Sequence, residues 1–185
     1  MELLRDGVWQ FVGAVLALLA IAITIGVEWK RRQKKELSFF VVSRRAFAQA
    51  VVLERRLQVT FEGQLVSDLR IADFGIVNTG TVPIVSADFA GSIEANFGDS
   101  AKVLVAEPLT VKPADLKIEL EWQSRGARGE QLNVLRIAPL LLNSGDVLVV
   151  RCFVVGASYL KPSARIAGIP QLTKMEVPRA YVEGT

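Results

Sequence analysis

The chain has 185 residues, with 22 basic and 19 acidic side chains, one cysteine and no histidine. Without an imidazole, Ser-His and Cys-His dyads and imidazole metal sites are excluded, which leaves only carboxylate or lysine chemistry and argues against an enzyme. A single cysteine excludes an intramolecular disulfide framework and fits a reducing cytosol.

The first seven residues, "MELLRDG", carry a net charge of −1. Residues 8–27, "VWQFVGAVLALLAIAITIGV", hold no charge and only Gln10 and Thr24 as polar interruptions. As a helix this run is about 30 Å long, the thickness of a bilayer core. A secretory signal peptide begins basic, has a shorter apolar core and ends in small residues, whereas this run ends in Glu-Trp-Lys-Arg-Arg. Twenty uncharged positions are also long for a buried core helix. Trp9 and Trp29 stand at the two ends, where indoles favour the headgroup region. A retained transmembrane helix is therefore expected over 8–27, with 1–7 as a short extracytoplasmic N-terminus.

Residues 28–36 form a basic juxtamembrane linker containing Lys30, Arg31, Arg32, Lys34 and Lys35. A basic cluster next to a span marks the cytosolic side, so the N-terminus is expected outside and the rest inside. The same side chains attract anionic membrane lipids, at about 1 kcal/mol each near the surface. From residue 37 onward, sixteen basic side chains face fifteen acidic ones. That near-neutral balance predicts no duplex DNA partner. Within the span, Gln10, Gly13, Ala17, Ala20 and Thr24 recur at helical spacing and form one stripe. Small residues let helices approach closely, so this stripe is the expected packing or pore face of a homo-oligomer.

Residues 37–170 switch to period-2 patterning with frequent turn residues, which predicts an all-β antiparallel β-sandwich of about nine strands. The predicted strands are "LSFFVVS", "LQVTF", "LRIADFGIVN", "SIEANF", "AKVLVAE", "LKIELEW", "LNVLRI", "DVLVVRCFVV" and "ARIAGI". Residues 44–56 are ambiguous between helix and strand. Turns are expected at Glu62-Gly63, Asn78-Thr79-Gly80, Gly98-Asp99 and Asn143-Ser144-Gly145. Pro83, Pro108, Pro113 and Pro139 are expected at strand ends. The predicted strand of residues 146–155 is apolar on both faces, so it is either central or covered outside by another subunit. Residues 171–185 pattern weakly and read as a tail.

Few motifs carry chemistry. Ser144 lies in a glycine-containing turn but lacks the G-x-S-x-G elbow and any histidine base. The aspartates at 73, 88, 99 and 146 never reach metal-ligand spacing, so no metal and no cofactor are expected. Cys152 reads as a small buried hydrophobe. In "SRGARGE", Arg125 and Arg128 sit among small residues and are the candidate phosphate contacts.

The span with "KRRQKKELSFFVVS", then "LQVTFEGQLVSDLRI", "NTGTVPI", Asp88-Phe89, "LLLNSGD" and "RIAGI", resembles a group of uncharacterised bacterial single-pass membrane proteins with a C-terminal β-sandwich. The resemblance implies a bacterial inner-membrane location and supplies no site residues. The expected function is a non-enzymatic, membrane-anchored binding and oligomerisation module. The alternative is a homo-oligomeric pore-forming effector gated by a nucleotide or oligonucleotide, as in bacterial anti-phage defence.

Overall fold

A computed structural model describes residues 7–30, 33–45, 59–66, 68–122, 133–157 and 159–178. The chain divides into two units, Met1–Lys34 and Lys35–Thr185.

The first unit is built on one helix, α1 (Gly7–Lys30). Its side chains are described for Trp9 and from Phe11 to Gly26, and all of these are exposed, including Phe11, Leu16, Leu18, Leu19, Ile21 and Ile23. Among the described residues no helix is long and apolar enough to cross a membrane. Residues 11–26 rise roughly 24 Å, short of the ~30 Å of a bilayer core.

The second unit is a β-domain with mostly antiparallel pairing. Its strands are β1 (Leu37–Arg45), β2 (Val59–Phe61), β3 (Gln64–Val66), β4 (Leu69–Asn78), β5 (Ile93–Asn96), β6 (Lys102–Lys112), β7 (Leu120–Glu121), β8 (Val134–Ile137), β9 (Val147–Val155), β10 (Lys161–Ser163) and β11 (Thr173–Lys174). One sheet runs β11-β1-β4-β9-β6, a second runs β10-β5-β8-β7, and β2 and β3 form a separate hairpin.

The period-2 pattern explains the core. On β9, Leu148, Val150, Cys152 and Val154 alternate to one side and are fully buried. They share a cluster with Ala72, Phe74 and Ile76 of β4, and with Ile93, Ala95, Leu135 and Ile137 of the second sheet. One apolar core thus serves both sheets. Each fully buried side chain of this size contributes about 1.5–3 kcal/mol. The opposite face of β9 is apolar as well. There Val149 packs with Phe40 and Val77, against Val147, Met175 and Val177. Around Val149 the cover comes from the chain's own C-terminal segment, and β9 is central, between β4 and β6.

Two glycine positions show how closely the backbone is used. Glu62 (φ 49°) and Gly63 (φ 78°) both take the left-handed region between Phe61 and Gln64, as a two-residue type I′ hairpin turn requires. Gly75 lies under the Phe40 ring, and a Cβ there would stand 2.2 Å from Phe40 Cζ.

Several expectations need correction. The segment "LKIELEW" is strand only at Leu120–Glu121, although Leu116, Ile118, Leu120 and Trp122 still pack on the core as the alternation requires. "ARIAGI" forms isolated bridges of Ile166 with Phe89 and Ile169 rather than a strand, because a turn closes between them. Pro108 is inside β6, where the β6–β9 register shifts between Pro108 and Thr110. β6 is an edge strand, so a residue without an N–H is tolerated there at an irregularity. The sheet is not wholly antiparallel: β11, in the segment read as a tail, pairs parallel to β1. Docking of Leu172 on the core and of Met175 and Val177 on the outer face holds that segment down.

A candidate anion-binding groove

The sequence-derived candidates fall in different places. Arg125 and Arg128 lie outside the described residues, as do Arg31, Arg32 and the side chains of Gln10 and Lys30. Gly13 faces open space, with nothing within 4 Å of a built Cβ. Ala17, Ala20 and Thr24 are exposed, and the Thr24 hydroxyl donates to the Ala20 carbonyl at 2.8 Å within its own helix. Lys34 is exposed. Lys35 has a partner inside the β-domain, because its Nζ donates to Asp88 Oδ1 at 2.7 Å. Asp88 Oδ2 accepts from the Val85 N–H at 2.9 Å. Together the Lys35 contact, first in effect, and the Val85 N–H hold the Asp88 carboxyl below its ordinary value.

Most other polar groups with chemical potential are used to build the fold. Asn78 is fully buried, its amide donating to the carbonyls of Val82 and Leu142 and its oxygen accepting from Gly80 N–H. Ser144 Oγ donates to the Gly80 carbonyl at 2.6 Å, so its hydroxyl locks two turns together. Burial, followed by the nearby Asp73 charge, pushes the Cys152 thiol up to about 12, which keeps it protonated and unreactive at neutral pH. Arg151 forks onto the buried Asp73, Nε to Oδ1 at 2.8 Å and Nη2 to Oδ2 at 3.0 Å. The two are directly opposite in the β4–β9 register. Among the described residues no three His, Cys, Asp or Glu side chains stand together as a metal site.

One concavity has a different character. It measures about 570 Å³ and is lined by Phe39, Val41 and Ser43 of β1, Arg70 and Ala72 of β4, Phe97, Ala157, Tyr159, Leu160, Lys161 and Pro162 of β10, and Lys174 of β11. It opens where the β1 side of the larger sheet meets the β10 edge of the smaller one. Among the described residues, three cations line it and no acid does. Arg70 touches Asp68 at 3.3 Å across an exposed pair, while its Nε is shielded from solvent and has no hydrogen-bond partner among the described residues. Arg45 stands directly opposite Arg70 in the β1–β4 register. A shielded donor left unpaired costs about 1–3 kcal/mol. The groove therefore favours an anion. Sequence reasoning missed it, because Arg70, Lys161 and Lys174 are 13 to 104 positions apart and converge only through sheet topology.

A second cavity of about 400 Å³ near Pro113 is lined by Asp115, Glu119 and Asp146 against one lysine, Lys117. A third, about 220 Å³, is an apolar gap between the β2–β3 hairpin and Phe153 of β9. Comparison with family models, characterised proteins and solved structures finds no match.

Proposed function

We propose that the protein is a membrane-anchored, non-enzymatic binding module: a single helix holds it in the bacterial inner membrane, and a β-sandwich presents the ligand site. The observation that carries the anchor is the exposure, all round α1, of its apolar side chains. Water penalises such a surface at about 25 cal/mol per Å², whereas lipid accepts it. The side chains described cover residues 11–26, but α1 itself runs Gly7–Lys30, roughly 36 Å at the helical rise. The uncharged sequence likewise continues to Val8 on one side and Val27 on the other. The motifs that resemble bacterial single-pass membrane proteins support the same reading. For binding rather than catalysis, support comes from a groove whose described lining is three cations on an apolar and aromatic wall.

The test is extraction and topology. The protein is expected to stay in the membrane pellet at alkaline pH. A C-terminal tag should resist external protease in intact cells and be digested once the membrane is opened. Release by alkali would overturn the anchor, and digestion in intact cells would overturn the cytosolic placement.

A second reading, a homo-oligomeric pore gated by a nucleotide or oligonucleotide, draws support from the cationic groove and from the exposed stripe of Gly13, Ala17, Ala20 and Thr24. Ligand-dependent conductance of the purified protein in liposomes would decide for it.

A further inference from the structure

We propose that the groove between β1 and β10 binds a nucleotide, with its phosphate on Arg70, Lys161 and Lys174 and its base against the aromatic lining. This deepens the binding-module reading and rests on it for the groove being the ligand site, though not for the membrane anchor.

The argument has three parts. First, the cations come from three strands that ordinary packing had no need to bring together, and among the described residues the lining offers them no carboxylate, Asp68 reaching only Arg70 Nη2 from outside it. Arg70 Nε is an N–H donor shielded from water and still unpaired. A phosphate oxygen supplies the acceptor that the protein withholds, and guanidinium with ammonium groups is the usual phosphate donor set. Second, the rest of the wall is apolar and aromatic. Phe97 is buried, Phe39 is half-buried and Tyr159 is exposed. Inorganic phosphate would leave that wall unused, whereas a base offers a flat π-face to it. Third, about 570 Å³ lies within the usual range for small-molecule sites, too large for a lone anion.

The phosphate chemistry is shared by lipid headgroups, so the experiment separates the two sources. The full chain in non-ionic detergent micelles is titrated calorimetrically with ATP, with cyclic di-AMP, with pyrophosphate, with adenosine and with glycerol 3-phosphate. At least one of the two nucleotides should saturate the site, while the three smaller probes bind about tenfold or more weakly, since each supplies only part of the contacts. Arg70→Gln and Lys161→Gln should each weaken nucleotide binding by about tenfold, the loss expected for a charged hydrogen bond. Lys117→Gln, on the separate acidic cavity, should leave it unchanged. Lys161 is exposed, so its substitution leaves melting unaltered and keeps the test clear of folding.

Three results would overturn the proposal: no saturation by either nucleotide, undiminished binding in both variants, or pyrophosphate or glycerol 3-phosphate binding as tightly as the nucleotide. Because the measurement is made in micelles, it stands apart from membrane extraction, and either result can fail alone.

Discussion

Two stretches of this chain are almost uniformly apolar, and they meet opposite fates. β9 carries Leu148, Val150, Cys152 and Val154 on one face and Val147, Val149, Phe153 and Val155 on the other, with Arg151 as the interruption. One face is covered by the shared core, and on the other Val149 is buried among Phe40, Val77, Met175 and Val177 while Val147, Phe153 and Val155 are half-buried. α1 carries more apolar side chains, yet those described are exposed on every side. The difference teaches that hydrophobicity specifies burial without naming what does the burying. A strand nine residues long between two neighbours meets its cover in its own domain. A helix of 24 residues forms a unit of its own, and the proposed anchor assigns the cover of its apolar side chains to lipid.

The comparison is sharpest when the same residue is placed in both stretches. Val150→Lys puts an unpaired ammonium where exposure is 0 %. An uncompensated buried charge costs several kcal/mol, comparable to the whole stability of a domain, so this variant should fail to show a cooperative melt. Leu18→Lys should leave the melting of the β-domain unchanged and reduce membrane retention, since a lysine at a span's centre costs about 2.5–3.5 kcal/mol. Equal effects of the two substitutions on melting would break the distinction.

The interruption in β9 gives a smaller effect. Asp73→Ala removes the carboxylate that Arg151 forks onto, on a strand pair that is otherwise tightly packed. Arg151 retains some access to solvent, so the loss should fall near the lower end of the 3–5 kcal/mol expected for a broken buried pair. Chemical denaturation should record that loss, with an Asp73→Leu, Arg151→Leu double variant recovering much of it. Failure of the double variant to recover would show that the pair also sets strand register.

The smallest effect concerns the junction where the basic linker enters the β-domain. Asp88 has a folded value below the ordinary carboxylate range, through Lys35 and the Val85 N–H. A depressed value means stability present above the unfolded value and lost as pH falls through the folded one. Wild-type melting should therefore decline on acidification below about pH 4, and part of that decline should vanish in Asp88→Asn. Parallel profiles of the two proteins would remove Lys35–Asp88 from the stabilising contacts.

Reading the sequence recovered the helix and the main strands because period and composition are local. β4, β5, β8 and β9 lie within the alternating runs that predicted them, while α1 and β1 run past theirs by one to three residues at an end. The pattern was also right at "LKIELEW" about which side chains face the core, even where pairing covers only two residues. Strand edges were less legible, since pairing depends on a neighbour: β10 and β11 are short, polar and recognisable only beside β5 and β1. Gly75 looked like an ordinary break in a strand until the Phe40 ring was found over it.

What residue order alone determined was the partition of the chain: an uncharged helical run, a basic linker and a neutral β-rich segment without imidazole. Those properties follow from side-chain chemistry and from periods of 3.6 and 2, which need no knowledge of contacts. Tertiary structure decided which positions meet. It gave Lys35 an aspartate 53 residues away, paired Asp73 with Arg151 across 78, and laid the C-terminal segment on the outer face of the larger sheet. It also brought Arg70, Lys161 and Lys174 to one groove. Sheet register is a property of strand neighbours, not of sequence neighbours, so a site assembled across strands has no signature in any one of them.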